Sequence, residues 1–517
     1  NMNNMRVSTN GGLVTENWFD LNASRYTASS TLQRMELLKT GYMGTLSLGW
    51  DNYLFLELTG RQERSSTLKD KSFFYPSANL SFLFSNAFRM PAWWNHGKLR
   101  LSYGIVGNAP ETYAANIIYE QGSDNGFTWN YVPSSWGNAN IRPEKKYEYE
   151  IGLESKFLNN RLGFDVSYYN NRVKDQILST PQPSSSGVKY VLMNVGEVAN
   201  EGWDISVSAT PVLTKNFRWD LTANYGIYRN KVVKLAEGVP YLEISNIGGG
   251  GAKIQAVEGR PMGDIYVQMP QMNENGDYLV SDKGLYLNQT DLQRVGNINP
   301  DGVGGLFSSF SYKNIFLDFS IDFRIGGDVI NEMYQYSTAS GLTPESLQYR
   351  DTEHGGLSYY YPGNNNASGT PVQVDPSSGA GPNGEIIYHD GIILPGVVAS
   401  TGEKNTRIIP AGYYYNQTYN WGTQPEQLTY RHSVFDNTYV KLRELTIGYQ
   451  FPEKLTAKLG MTRLSVSIFG RNLFYFYKAL KNYDAESSVG TSWASQAVVG
   501  GSTTATRNFG VSLRASF

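Results

Sequence analysis

The chain has 517 residues, with 44 Lys+Arg against 46 Asp+Glu, and the net charge of −2 leaves no basic footprint for nucleic acid. It contains no cysteine, which excludes disulfide frameworks, thiolate metal sites and cysteine nucleophiles, and its four histidines (His96, His354, His389, His432) are scattered. Aromatic residues and the 53 glycines are abundant, and no run of about 18 apolar residues occurs; this excludes a transmembrane helix but not a transmembrane barrel, whose alternating strands average to a polar score.

The opening residues 1–5 show neither the basic nor the apolar region of a secretory leader, so export would require a leader preceding them. A first alternating stretch runs from Leu13 to Tyr26. Thirteen segments of about twelve residues follow: Leu38 to Trp50, Asn52 to Arg64, Phe73 to Ser85, Gly97 to Gly107, Lys145 to Phe157, Arg161 to Lys174, Asn200 to Val212, Asn216 to Asn230, Gly302 to Lys313, Ile315 to Asp328, Asn437 to Phe451, Arg463 to Phe476 and Thr503 to Phe517. In the tenth, Ile315, Leu317, Phe319, Ile321, Phe323 and Ile325 share one face, while Asp318, Ser320, Asp322 and Arg324 share the other.

Strands of a soluble sandwich usually run about 5 or 6 residues, whereas a tilted membrane-crossing strand needs about 9 to 11. The links alternate as well. Short ones (51, 158–160, 213–215, 314) take turns with long ones (108–144, 231–301, 329–436), the asymmetry of an outer-membrane barrel. The last segment alternates Phe509, Val511, Leu513, Ala515 and Phe517 with polar or small residues, and its terminal aromatic Phe517 resembles a barrel-assembly signal.

Several blocks carry a wider likeness: Phe435-Asp436-Asn437-Thr438-Tyr439-Val440-Lys441-Leu442-Arg443-Glu444-Leu445-Thr446-Ile447-Gly448-Tyr449, then Gly470-Arg471-Asn472-Leu473-Phe474, Arg294-Val295-Gly296-Asn297-Ile298-Asn299-Pro300, and Asn194-Val195-Gly196-Glu197. Together they resemble the SusC/RagA-type TonB-dependent transporters of the Gram-negative outer membrane, over roughly residues 40 to 517. The resemblance implies an all-β, transmembrane antiparallel β-barrel of 22 strands with a plug, of which residues 1–517 would supply about the last 14 strands, the plug and first strands being absent from this chain. It further implies import of oligosaccharides or oligopeptides, engagement of TonB through the missing N-terminal part, a SusD-like surface lipoprotein partner, assembly of transporter units as dimers, long loops outside the cell and the C-terminus on the periplasmic side.

Within the long links, Trp129, Tyr131 and Trp136, then Tyr359, Tyr360 and Tyr361, then Tyr413, Tyr414 and Tyr415 are candidate ligand contacts, because flat rings with a polar edge stack on sugars or grip peptides. Interfacial belts and plain loop packing account for such rings equally well. The family often carries a calcium-type loop before the position of Pro300. Asn273, Asn275 and Asp277 hold that place with altered spacing, so a structural calcium competes there with an ordinary solvated turn. Alternation sends Glu57, Arg61, Glu148, Glu150, Glu154, Asp165, Asp220, Asp318, Asp322, Arg324 and Arg514 toward the lumen.

No enzyme is expected. Glu148, Glu150 and Glu154 form a ladder along one strand and not a facing pair, and neither a Gly-x-Ser-x-Gly elbow nor a phosphate-binding Gly-x-x-x-x-Gly-Lys-Ser/Thr occurs. The rival readings are a self-standing passive porin of 14 strands, closed by pairing Leu13 to Tyr26 with Thr503 to Phe517, and a β-rich binding protein outside the bilayer.

Overall fold

The computed structural model describes residues 2–68, 72–124, 127–363, 369–420, 426–427, 430–480, 482–501 and 505–517. Two strands, β1 (Met2–Leu13) and β2 (Ser24–Met35), form a separate hairpin. Thirteen more build one sheet in strict chain order: β3 (Lys39–Trp50), β4 (Leu54–Ser65), β5 (Ser72–Phe82), β6 (Trp94–Asn108), β7 (Glu144–Phe157), β8 (Leu162–Lys174), β9 (Glu197–Leu213), β10 (Phe217–Lys234), β11 (Gly302–Tyr312), β12 (Ile315–Ile325), β13 (Tyr439–Gln450), β14 (Arg463–Lys478) and β15 (Asn508–Ser516). Each is antiparallel to the next, so successive connections leave opposite ends.

All thirteen expected segments become these thirteen strands; residues 503–504 of the last one lie outside the described residues. The stretch Leu13 to Tyr26 is different. It spans the bend between β1 and β2, because Asn17 takes a left-handed φ of 62° and the Asp20 carboxylate accepts the Asn22 amide, closing a turn.

Registry shows why the sheet has two unlike faces. Leu48, Leu56, Leu80, Leu101, Ile151, Tyr168, Trp203 and Ile227 lie opposite one another in turn across eight strands. One residue along, Ser47, Glu57, Asn79, Ser102, Glu150, Tyr169 and Gly202 form the matching row on the other face. A slip of one residue would exchange the two rows, so the apolar band fixes the register. On the last strand Phe509, Val511 and Leu513 are 73%, 71% and 70% exposed, an apolar surface that only a non-aqueous neighbour can cover.

The short turns suit this wall. Asp51 and Asn52 between β3 and β4 both adopt positive φ (45° and 57°), the twist a tight hairpin needs. At the opposite end the connections are long and mostly structured. Ile247, Ala252, Ile254, Ile265, Val267 and Ile298 from the β10–β11 connection pack with Ile330 and Tyr430 from the β12–β13 connection and with Ala494, Ala497 and Val498 from the β14–β15 connection. The largest buried core therefore lies in the loop layer, since the wall offers one face to lipid and the other to the lumen.

Candidate functional site

The lumen-side charges pair along the wall. Arg100 donates from Nη1 and Nη2 to both Asp165 oxygens at 3.0 and 2.6 Å, with Glu154 3.6 Å away. Ser309 donates to Asp318 at 2.6 Å, and Arg324 donates to the backbone oxygens of Ile298 and Gly326. Of the predicted lumen set, Glu154, Asp165, Asp318 and Arg324 are held in this way by neighbours within this chain, as are Glu57, Arg61, Glu148, Asp220 and Asp322 by others.

The register shifts at several places along the wall, one of them on β13. Opposite β12, Ser320 pairs with Glu444 and Ile321 with Leu442, so Arg443 is the extra residue of a β-bulge. The bulge turns Arg443 to the lumen side, where its Nε reaches Asp322 at 2.5 Å and its Nη1 reaches Asn472 at 2.8 Å. Arg443 also binds Glu486 of the β14–β15 connection, which Lys441 contacts at 2.5 Å. Burial of Glu486 acts to raise its pKa, but the bonds from Arg443 and Lys441 outweigh it and hold the carboxyl down to about 2. This network ties the loop layer to the rim of the wall.

The aromatic candidates do not converge. Trp129 and Tyr131 are half-exposed on a hairpin between Glu120–Asp124 and Phe127–Tyr131, and Trp136 sits in a separate strand beside Val191. Tyr359 and Tyr361 are buried, stacked or edge-on with Tyr388 at 5.5 and 5.8 Å, so they serve as core, with Tyr360 between them partly buried. Tyr413, Tyr414 and Tyr415 begin a helix, α1 (Ala411–Tyr419), in which Tyr415 packs on Tyr419 while Tyr413 and Tyr414 are partly buried. Beside that helix, burial and the neighbouring Arg431 lower the pKa of His432 to about 4, which keeps its imidazole neutral.

The residues Asn273, Asn275 and Asp277 form a self-satisfied turn. The Asn273 side-chain oxygen accepts the amides of Asn275 and Asp277 at 3.0 and 2.9 Å, while its Nδ2 donates to Asp277 at 3.2 Å. Among the described residues no group of three or more His, Asp or Glu side chains stands together as a metal cage.

A long, amphipathic, antiparallel wall with short turns at one end and a folded loop layer at the other defines the class as an outer-membrane type β-barrel. Residues 6–258 match the family described as TonB dependent receptor-like, beta-barrel. A TonB-dependent receptor of Formosa agariphila named P3 is 23% identical over 483 residues, covering 87% of this chain and 42% of that one. The TonB-dependent receptor SusC of Bacteroides thetaiotaomicron is 27% identical over 247 residues, covering 43% of this chain and 24% of its own. Among solved structures, one described as the RagAB peptide transporter superposes with a TM-score of 0.70 at 18% identity, covering 97% of this chain and 50% of that one, a likeness of fold. The wall is thus similar to that of TonB-dependent receptors, and its sequence blocks resemble the SusC/RagA type. The relatives carry the names of receptors and not of enzymes, and the chain spans less than half the length of these curated relatives.

Proposed function

We propose that this chain supplies the C-terminal part of the barrel of an energised outer-membrane importer for oligosaccharides or oligopeptides, working with a SusD-like surface lipoprotein and drawing energy through TonB. One observation carries the reading: a thirteen-stranded lipid-type wall bears, at one end only, a loop layer with its own buried core. A rigid layer of that kind suits contact with a partner and a cargo better than plain solvation does.

Both edges of the sheet support a larger barrel. The strands β3 and β15 each have one paired neighbour, and no pairing among the described residues joins β15 to β1, β2 or β3. An open edge in lipid leaves backbone groups unsatisfied, which a bilayer does not tolerate. The closing pair that a passive porin of 14 strands requires is therefore not formed, and further strands are proposed to complete the cylinder.

The test is intact-mass analysis of what co-purifies, in detergent, with a tag placed in an exposed loop. The expected result is material carrying the remaining strands and a plug, together with a lipoprotein. Recovery of the chain alone, folded and channel-forming, would contradict it.

A further inference from the structure

The short turns at the end of the wall opposite the loop layer form one continuous rim. The Leu158 amide donates to the Trp93 oxygen at 2.7 Å, Arg161 donates to the backbone oxygens of Thr210 and Pro211, the Lys313 amide donates to Asn216 at 2.8 Å, and the Gln450 amide donates to Asn314 at 2.8 Å. Each turn from β5–β6 onward is thereby bonded to its neighbour.

Charge is divided unevenly between the two ends. The six turns of this rim (51–53, 83–93, 158–161, 214–216, 313–314 and 451–462) hold six Lys or Arg against two Asp or Glu, whereas the β12–β13 connection at the other end (326–438) holds four against eleven. Arg89, Lys215, Lys313, Lys454 and Lys458 are exposed, and none of them has an ion-pair partner among the described residues. Their charge is therefore free to meet an anion from outside the chain.

Apolar surface beside these cations restricts what that anion belongs to. Phe88 stands next to Arg89, Leu213 close to Lys215 and Tyr312 next to Lys313, and all three apolar side chains are exposed. In the β13–β14 turn, two short helical stretches, Glu453–Thr456 and Ala457–Leu459, carry Leu455 and Leu459, 46% and 57% exposed, beside Lys454 and Lys458. Leucines four apart share a stripe, as do the lysines, and such an amphipathic segment settles in the plane of a bilayer interface. The rings fix the depth. Tyr312 lies opposite Ile315, and Ile315 opposite Tyr449, on the lipid side of the wall; Trp93 stacks on Phe157 at 5.8 Å and Phe88 meets Phe82 edge-on at 6.0 Å. Aromatic girdles of this kind mark the boundary between acyl chains and headgroups, so cations just beyond them in the turns stand at the level of the phosphates. A zwitterionic headgroup brings its own ammonium to that level and gains less from these cations than a headgroup with net negative charge.

We propose that the short-turn rim is a binding surface for anionic phospholipid headgroups, which it enriches around the barrel. The proposal goes beyond the importer reading and needs only that the wall crosses a bilayer, so its failure would leave import untouched.

The test uses the receptor purified from outer membrane with whatever assembles with it, reconstituted in phosphatidylcholine vesicles containing either brominated phosphatidylglycerol or brominated phosphatidylcholine. Quenching of tryptophan fluorescence, to which the exposed Trp93 at this rim contributes, gives the preference for one lipid over the other. The expected result is a preference of about threefold or more for the anionic lipid, falling toward equality at about 0.5 M NaCl and in a variant carrying Lys215→Gln, Lys313→Gln, Lys454→Gln and Lys458→Gln. Arginine at the same four positions should keep the preference, with heat-resistant barrel mobility unchanged in both variants. No preference at low salt, or one that the glutamine variant retains, would overturn the proposal. Loss of the preference to inorganic phosphate at matched ionic strength would also overturn it, by marking a site for free phosphate. If the glutamine variant does not fold, the unaltered receptor still decides, since a preference unchanged at high salt would contradict an electrostatic surface.

Discussion

Arg443 shows how one residue departs from the rule that governs its strand. Leu445, Ile447 and Tyr449 follow the lipid-side parity on β13, which would place Arg443 among them; the bulge carries it to Asp322, Asn472 and Glu486 instead. The carboxyl of Glu486, ordinarily near 4.5, is held down to about 2, so the attachment it provides is complete above about 4.5 and is lost as pH falls from there through 2. A fluorophore on a Thr491→Cys cysteine, unique in this chain, should gain mobility over that window, and Glu486→Gln should show raised mobility at neutral pH with the acid transition removed. For Arg100 and Asp165, a double-mutant cycle with alanine should return a coupling of about 1 kcal/mol or less in thermal unfolding, because both groups retain contact with the aqueous lumen.

At the scale of the strand, the two faces predict opposite tolerances. Val511→Lys on β15 places a charge in the apolar band and should cost about 2 to 4 kcal/mol near mid-membrane, whereas Ser512→Lys, one residue along and lumen-facing, should be close to neutral. Urea unfolding in lipid vesicles measures both; equal costs would contradict the assigned faces. The wall was legible because its signal is periodic: thirteen strands repeat a two-residue pattern long enough to stand out from chance. The hairpin β1–β2 runs differently from the expected stretch because its strands are rich in Asn, Ser and Thr, so the alternation is faint, and its register shifts across Gly11 and Gly12, both at left-handed φ, before the bend that Asp20 caps. The bulge at Arg443 left a trace in the sequence, the adjacent charges Arg443 and Glu444, which no strict alternation can accommodate.

The candidate site was less legible than the wall, and the whole molecule shows why. The candidate loop aromatics are divided among separate places, with Tyr359, Tyr361 and Tyr415 buried as local cores, the packing alternative, because contacts between distant connections decide which rings are covered. The Gly-rich run 248–251 leads into a sheet packed beneath Tyr430 from a distant connection, a contact no local pattern announces. The resemblance of Phe517 to a barrel-assembly signal predicts that Phe517→Ala or deletion of Phe517 lowers the amount of folded barrel in the outer membrane, read as heat-modifiable mobility; an unchanged yield would count against a terminal signal. The proposed import is energised, and that sets it apart from passage through an open pore. Cells given fluorescent oligosaccharides and oligopeptides should accumulate one class only when this chain is present and the proton-motive force intact, and should lose that uptake on adding an uncoupler. Uptake that continues at full rate after uncoupling would mark a passive pore and contradict the account.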